Sequence, residues 1–337
     1  MMGEQRRAIL RPYGGFLLPL FVGCALQAAE PSTLKLVQTI PLPGVKGRFD
    51  HLAIDARGQR LFVAALGNNS LEVIDLAAGR RIQSLPGMAK PTGVLYLSQQ
   101  NQILVAKGED GGLKILSGSD YKVLHGLSGF EDADNLRLDS KTKLAWLGYG
   151  DGALAIIDPA GAAKSVGYIK LPAHPESFQL ESDGTRLFVN LPEAKQIAVI
   201  DRESRAVLAH WPMEKFQANF PMALDAANHR LVVGCRKPAR VVVFDISAGK
   251  LVADVKISGD TDDLFYDVAR KRIYVSCGEG FIDTIEQSTP DSYQTASRLP
   301  TVPGARTSFF SPELDRFYLA VPAHGSQPSE VRVYEPR

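Results

Sequence analysis

The sequence predicts an all-β fold, a seven-bladed β-propeller with four strands in each blade, and two observations carry this prediction. First, one short apolar pattern recurs seven times along the 337 residues, at start-to-start steps of 42, 41, 43, 44, 42 and 44 residues. Second, short segments rich in β-branched and aromatic residues alternate with polar turns inside the repeats. A fixed period of about 40 to 50 residues with several short strands is typical of a propeller. The recurring strands begin at Leu61, Ile103, Leu144, Leu187, Leu231, Ile273 and Phe317.

The first repeat shows the four strands of a blade most clearly. We expect an inner strand over 51–55, a second strand over 61–66, a third over 71–76 and an outer strand over 81–85. The polar turns between strands include Asn68-Asn69, Asp110-Gly111-Gly112 and Asp151-Gly152. Since no linker, low-complexity tract or amphipathic helix interrupts the pattern, the repeats are expected to form one domain.

The two ends of the repeat region complement each other. The seventh repeat stops at its third strand, 331–334, whereas an additional strand over 34–40 precedes the first inner strand. Pairing these two segments completes the last blade and leaves no open sheet edge. The entropic cost of closing such a long loop grows only logarithmically with its length. We therefore expect the N-terminal strand to close the ring.

The N-terminal segment has the pattern of an export signal. Three basic residues, Arg6, Arg7 and Arg11, precede the apolar run 16–22, and small residues follow as far as Ala29. This run is too short to span a bilayer, so we expect no transmembrane span in the mature chain. The sequence predicts a removed export signal over 1–29, a single propeller domain over 30–337, and a periplasmic or secreted protein.

A lipid anchor is the alternative to soluble export. Cys24 follows Phe21-Val22-Gly23, which loosely resembles a lipoprotein cleavage box, although Phe is unusual at its first position. Cys24 would then carry the acyl group, and the less favoured hypothesis is a propeller tethered to a membrane surface.

The charge balance argues against nucleic acid as a partner. Removing 1–29 lowers the number of Lys and Arg residues from 38 to 35 and that of Asp and Glu from 37 to 36, which leaves a net charge of about −1. A nucleic-acid-binding domain normally shows a basic excess. Two cysteines remain, Cys235 and Cys277, at equivalent positions of adjacent repeats, and we expect buried thiols there rather than a disulfide.

The repeats resemble the YVTN-type β-propeller repeat. The second strands at 61–64 (LFVA), 187–190 (LFVN) and 273–276 (IYVS) stand where that family has its namesake strand. The third strands resemble that family's in ending on Asp, at 73–75 (VID), 156–158 (IID), 199–201 (VID) and 243–245 (VFD). The resemblance covers about 34–337, and the chain is similar to the bacterial periplasmic YncE-like group. It implies an exported, ring-shaped, seven-bladed propeller and no settled chemistry.

Functional residues are expected around one mouth of the central channel, where the loops leading into the inner strands and those joining second to third strands meet. When the inner strands are aligned on their closing turn residues, five repeats place a polar pair at equivalent positions of this mouth. With neighbouring polar residues added, the candidates are Arg48, Asp50, His51, Asp134, Asn135, His174, Glu176, Ser177, Asn219, Asp262, Asp263, Arg306 and Thr307. Loop residues at a less certain register are Asn68, Lys107, Glu109, Arg236, Lys237 and Glu279.

These residue types leave three interpretations open. Carboxylate and imidazole groups from different blades suit a divalent metal, with His51 and His174 as the candidate imidazole ligands. The ring equally suits a cationic or polyol ligand held by hydrogen bonds, and Arg306 suits a carboxylate or phosphate. Finally, Asp, Asn, Ser and Thr at the start of a strand often bond only to neighbouring backbone N–H groups.

Familiar catalytic motifs are missing from the sequence, including a P-loop, a dinucleotide glycine fingerprint, HExxH, GxSxG and CxxC. We therefore expect an exported, monomeric binding module for a small polar ligand or an envelope protein. The alternative is a metal-assisted lyase or hydrolase in the same channel mouth. A cation would then lie among the carboxylates, with His51 or His174 as the general base.

Overall fold

Seven antiparallel four-stranded sheets form the ring seen in the computed structural model, which describes residues 1–3, 8–9 and 32–337. Ser32–Arg337 form one compact unit. The predicted cleavage region and Cys24 lie outside the described residues, so the export signal and the lipid anchor stay predictions. No helix among the described residues is long and apolar enough to cross a membrane.

Each of the first six blades uses four consecutive strands, ordered from the channel outwards. Blade one is β2 (Leu52–Asp55), β3 (Arg60–Ala65), β4 (Ser70–Asp75) and β5 (Arg80–Pro86), with one 3-10 turn at Leu66–Asn68. Blade two is β6 (Pro91–Leu97), β7 (Gln102–Lys107), β8 (Gly112–Ser117) and β9 (Val123–Leu127). Blade three is β10 (Leu136–Leu138), β11 (Ala145–Tyr149), β12 (Ala153–Asp158) and β13 (Lys164–Lys170).

The strands of the remaining blades are as follows. Blade four is β14 (Phe178–Leu180), β15 (Arg186–Leu191), β16 (Gln196–Asp201) and β17 (Val207–Pro212). Blade five is β18 (Gln217–Asp225), β19 (Arg230–Lys237), β20 (Ala239–Asp245) and β21 (Lys250–Lys256). Blade six is β22 (Thr261–Asp267), β23 (Arg272–Cys277), β24 (Phe281–Thr289) and β25 (Ser292–Pro300). Blade seven is β26 (Thr307–Ser311), β27 (Arg316–Val321), β28 (Glu330–Pro336) and β1 (Leu34–Pro41).

The N-terminal strand closes the ring, as the sequence predicts. β1 pairs antiparallel with β28, from Leu34 opposite Pro336 to Pro41 opposite Glu330. The backbone N–H of Leu42 then donates to the carbonyl of Ser329 at 2.8 Å, which continues the connection beyond the strand. The outer strand of blade seven therefore comes from the start of the repeat region and its other three strands from the end.

The hydrophobic core is divided among the seven gaps between neighbouring blades. Each gap holds one cluster of buried side chains, because both faces of a middle strand in a blade are covered by adjacent blades. Cys235 and Cys277 are buried in such clusters and are not joined by a disulfide, as expected. Packing between the blades therefore holds the inner strands in a ring around the channel.

Aspartates at the ends of third strands terminate those strands on the face away from the channel mouth. The Asp75 carboxylate accepts the backbone N–H of Ala78 at 2.8 Å, and the Asp245 carboxylate accepts that of Ser247 at 2.7 Å. Such turns form because a short Asx side chain bonds backbone N–H groups two or three residues on. The repeated Asp of the sequence pattern is thus a turn-forming residue.

Candidate functional site

A polar cavity of about 340 Å³ opens at one mouth of the channel, and residues from all seven blades line it. Its walls come from the two kinds of loop that the sequence indicates, those leading into inner strands and those joining second to third strands. The lining residues are Arg48, Asp50, His51, Thr92, Asp132, Asp134, Asn135, Gly150, Asp151, His174, Glu176, Ser177, Pro192, Glu193, Phe220, Arg236, Asp262 and Arg306.

The structure brings most of the candidate residues together in this cavity. Ten of the thirteen line it, whereas Asn219, Asp263 and Thr307 do not. Asn219 is buried beneath the rim, where its amide donates to the Asn190 side chain at 2.8 Å. Thr307 is likewise buried, in the first position of β26.

The adjacent residues Asp262 and Asp263 point to different parts of the channel. Asp262 lines the polar cavity, whereas Asp263 lines a second cavity of about 380 Å³ among the inner strands. Because the two carboxyl groups line different cavities, Asp262 and Asp263 do not act together at the channel mouth. His51 and Ser177 line both cavities and lie at their junction.

His51 lies between two carboxylates. Its Nδ1 atom is 3.3 Å from Asp263 Oδ1, and its Nε2 atom is 3.7 Å from Asp50 Oδ1. Asp263 is itself fixed by the backbone N–H of Ser308, which donates to it at 2.8 Å. Burial alone would lower the pKa of His51, but Asp263, Asp50 and Asp134 outweigh burial and raise this pKa to about 10.

Asp50, His51 and Asp134 form a group whose ligand-type atoms all lie within 4.8 Å of one another. Burial raises the pKa of Asp50 to about 7, helped by repulsion from Asp134 and opposed by His51. The Asn135 side chain donates from Nδ2 to Asp134 Oδ2 at 3.2 Å. Its own Oδ1 atom is buried and has no hydrogen-bond partner among the described residues.

His174 and Glu176, which precede the inner strand of blade four, continue the cavity wall beside Asp134. His174 Nδ1 lies 2.7 Å from the carbonyl oxygen of Gly150, and its Nε2 lies 3.9 Å from Asp134 Oδ2. Burial opposes a charge on His174, but Asp134 and the Gly150 carbonyl raise its pKa to about 9. Burial, with Asp134, raises the pKa of Glu176 to about 8, so this carboxyl group holds its proton at neutral pH.

The arginines of the cavity are already paired with carboxylates of the protein. Asp262 is held between Arg236, which also lies 3.8 Å from the centre of the Phe220 ring, and Arg306 at 3.0 Å. Arg306 further donates to both oxygens of Asp260, at 2.9 and 2.8 Å. A carboxylate or phosphate ligand would therefore have to compete with these internal partners for Arg306.

Sequence reasoning missed several residues of the cavity wall. Thr92, Asp132, Asp151, Glu193 and Phe220 line it but are not among the candidates. Asp151 and Glu193 occupy second-to-third-strand loops, so examining these loops in every repeat would have found them. Of the six loop residues at uncertain register, Arg236 alone lines this cavity.

Comparison with known proteins shows the fold. No family model and no curated protein sequence matches this chain. One similar solved structure is a chain in the crystal structure of the mitotic checkpoint complex, with a TM-score of 0.74 and 14% identity over 97% of this chain and 98% of that chain. Another is a chain of the Kuenenia stuttgartiensis hydrazine synthase, with a TM-score of 0.73 and 16% identity over 86% of this chain and 98% of that chain. The chain is therefore a β-propeller, a fold that commonly serves as a binding scaffold.

Proposed function

We propose that this protein is an exported YVTN-type propeller of the YncE-like kind that binds a small polar ligand in the cavity at its channel mouth. The observation that carries the proposal is the Glu176 side chain. It faces the cavity, and its carboxyl group makes no hydrogen bond within the described part of the chain. A polar ligand that displaces solvent from the cavity would have in Glu176 a carboxyl group that is free to bond it, and an apolar ligand would leave this group unpaired at a cost.

The composition of the wall supports an oxygen-rich ligand. The protonated Glu176 and the His174 imidazolium donate hydrogen bonds, whereas Asp134 accepts them. A compound carrying both hydroxyl and carbonyl groups satisfies donors and acceptors at once. The volume of about 340 Å³ is that of a small-molecule site.

A ligand screen by thermal unfolding tests this proposal. A compound present at about 100 times its Kd adds about 2.7 kcal/mol to the free energy of unfolding, which raises Tm measurably. Glu176→Ala and His174→Ala should abolish the shift, while Glu313→Ala, which removes an exposed carboxylate on a turn between β26 and β27, should retain it. Shifts that survive both cavity variants would contradict a site at the channel mouth.

An envelope protein is the other binding partner we consider for the same surface. The mitotic checkpoint structure places a similar ring within a multiprotein complex, although an identity of 14% carries the fold alone. Cross-linking in intact cells, followed by mass spectrometry, would distinguish this partner from a small ligand. Cross-links on loops at the channel mouth would favour a protein, and their absence together with a thermal shift would favour a small molecule.

Catalysis is the second candidate function, and the pKa values of His174 and Glu176 favour it. Two groups that titrate near pH 9 and pH 8 in one cavity are typical of acid–base catalysis in a lyase or hydrolase. The product analysis of any ligand found in the screen tests this candidate. Recovery of the unchanged compound after prolonged incubation would leave the binding module as the function.

Export is tested separately from binding. N-terminal sequencing of the protein recovered from the periplasm should find a start near residue 30. A mass increase on a fragment beginning at Cys24 would instead demonstrate the lipid anchor. Full-length protein in the cytoplasm would contradict export.

A further inference from the structure

We infer that the channel mouth holds a divalent transition-metal ion, bound by Asp50, His51, Asp134 and the amide oxygen of Asn135. These side chains come from the first and third blades and line the same polar cavity. The inference goes beyond the binding of a small polar ligand, because the ion would be bound whether or not such a ligand is present.

The first argument is the convergence of ligand atoms. One oxygen of Asp50, one imidazole nitrogen of His51 and one oxygen of Asp134 lie within 4.8 Å of one another. Atoms at the corners of a coordination sphere with metal–ligand bonds of about 2.0–2.2 Å are separated by distances of up to about 4 Å, so a small movement brings them into contact with one ion. Without an ion, two carboxylates buried side by side repel each other.

The second argument is independent of the acidic cluster. Asn135 is 2% exposed, and its Oδ1 atom has no hydrogen-bond partner among the described residues, although its Nδ2 atom donates to Asp134. The unpartnered oxygen belongs to the same amide group that contacts Asp134, and both residues line the same cavity. A buried carbonyl oxygen without a donor is costly, and a cation is a partner that satisfies it.

The third argument is the orientation of His51. Its Nδ1 atom faces Asp263, which in turn accepts the backbone N–H of Ser308, so the Nε2 atom is directed at Asp50. Metal-binding histidines typically donate their other ring N–H to a carboxylate or carbonyl, which fixes the ring and increases the basicity of the ligating nitrogen. The chain Ser308–Asp263–His51 has this arrangement.

The ligand types indicate which ions bind. One imidazole, two carboxylates and one amide oxygen suit Zn²⁺ and Mn²⁺, whereas Ca²⁺ and Mg²⁺ prefer sites made of oxygen atoms alone. Solvent would complete the coordination from the open side of the cavity.

Direct metal titration of the purified, chelator-treated full chain tests the inference. Mn²⁺ binding is followed by the loss of its free-ion EPR signal, and Zn²⁺ binding by calorimetry. We expect saturation at one ion per chain for each metal. Asp134→Asn and Asp50→Asn should abolish saturable binding, and Asp263→Asn should weaken it by about 10- to 100-fold, the usual effect of losing an outer-sphere partner.

The controls separate metal binding from folding and from the ligand proposal. Glu313→Gln removes an exposed carboxylate that does not line the cavity and should bind both ions as the wild type does. Thermal unfolding of the metal-free Asp50→Asn and Asp134→Asn variants shows that each is folded, so that a loss of binding is distinguished from unfolding. Failure of both ions to bind, or unchanged binding in the Asp50 and Asp134 variants, would overturn the inference. Running the ligand screen in excess chelator keeps its outcome independent of this one.

Discussion

The imidazole Nδ1 of His51 lies 3.3 Å from the carboxylate Oδ1 of Asp263, and this contact joins the first blade to the sixth. Blade seven lies between them in the ring, so the two side chains meet across the channel itself. The contact also connects the two cavities, because His51 lines both and Asp263 lines the inner one. The charged pair at the base of the polar mouth is therefore formed by side chains of two blades that are not neighbours in the ring.

Removing Asp263 should destabilise the metal-free protein. Asp263→Ala leaves the His51 imidazolium largely buried without its nearest carboxylate, and breaking such a buried pair costs about 3–5 kcal/mol. Urea unfolding at neutral pH measures the change. Asp254→Ala removes the partner of Arg240 in a surface pair and should cost less than about 1 kcal/mol. Equal costs for the two variants would show that the buried contact stabilises the protein no more than a surface ion pair does.

Ring closure makes stability depend on the N-terminal strand. Ile40 of β1 is fully buried in the cluster between blades seven and one, so Ile40→Ala should cost about 2–5 kcal/mol. Val37 lies in the same strand but is 42% exposed, and Val37→Ala should change the free energy of unfolding by less than about 0.5 kcal/mol. Denaturant unfolding of both variants compares them directly. Similar losses in the free energy of unfolding for the two variants would mean that Ile40 of β1 is not buried between blades seven and one.

Most of the fold was predictable because a propeller repeats one local pattern seven times. The strands of blade one begin and end within one residue of the expected positions, and β1 pairs with β28 as the missing outer strand indicates. Periodicity carries this information because every blade must bury the same faces against its neighbours. The turn-forming role of Asp75 and Asp245 follows from the same repetition.

The position of the polar cavity was predictable from the sequence, but the full set of residues that line it was not. Irregular pairing in β18, between Asn219 and Met222, and in β22, between Thr261 and Asp263, interrupts the simple alternation that the alignment assumes. Asn219 is consequently buried against the neighbouring blade rather than in the cavity. Contacts such as His51–Asp263 depend on the diameter of the closed channel. The length of the sequence repeat does not determine this diameter, so the contact could not be predicted.

Substitution of two turn glycines by alanine tests whether the space beside each turn is filled by a neighbouring side chain. Gly249 has a φ of +64°, and an added Cβ would lie 2.6 Å from Trp211 Nε1, whereas Gly161, with a φ of +55°, has nothing within 4 Å of that position. Gly161→Ala should cost about 1–2 kcal/mol for the left-handed backbone alone. Gly249→Ala should cost about 1–3 kcal/mol more, because the indole ring must move. Trp fluorescence during urea unfolding measures the free energy of unfolding of both variants. Equal costs would indicate that the Trp211 side chain moves aside without a loss of stability.

Acid should weaken the protein through the buried pair of Asp139 and Arg202, whose charged atoms lie 2.8 Å apart. Burial alone would raise the pKa of Asp139, but the backbone N–H of Lys141 and the Arg202 guanidinium outweigh it and hold this pKa below its ordinary value of 3.8. A carboxyl group whose pKa is lower in the folded state stabilises the fold above its unfolded pKa. That stabilisation is lost as the pH falls through the folded value.

Asp139→Asn should therefore cost about 3 kcal/mol near pH 6, the lower end for a broken buried pair, because Arg202 keeps hydrogen bonds to the carbonyls of Glu181 and Gly184. The difference between variant and wild type should shrink below pH 3.8, because the wild-type carboxyl group takes up a proton first in the unfolded chain and only at lower pH in the folded one. Urea midpoints at about pH 6 and about pH 3 measure this change. Asp151→Asn, at an exposed carboxylate in the loop between β11 and β12, should leave the midpoint unchanged at both. A cost for Asp139→Asn that stays constant with pH would show that the pair stabilises the blades by packing rather than by charge.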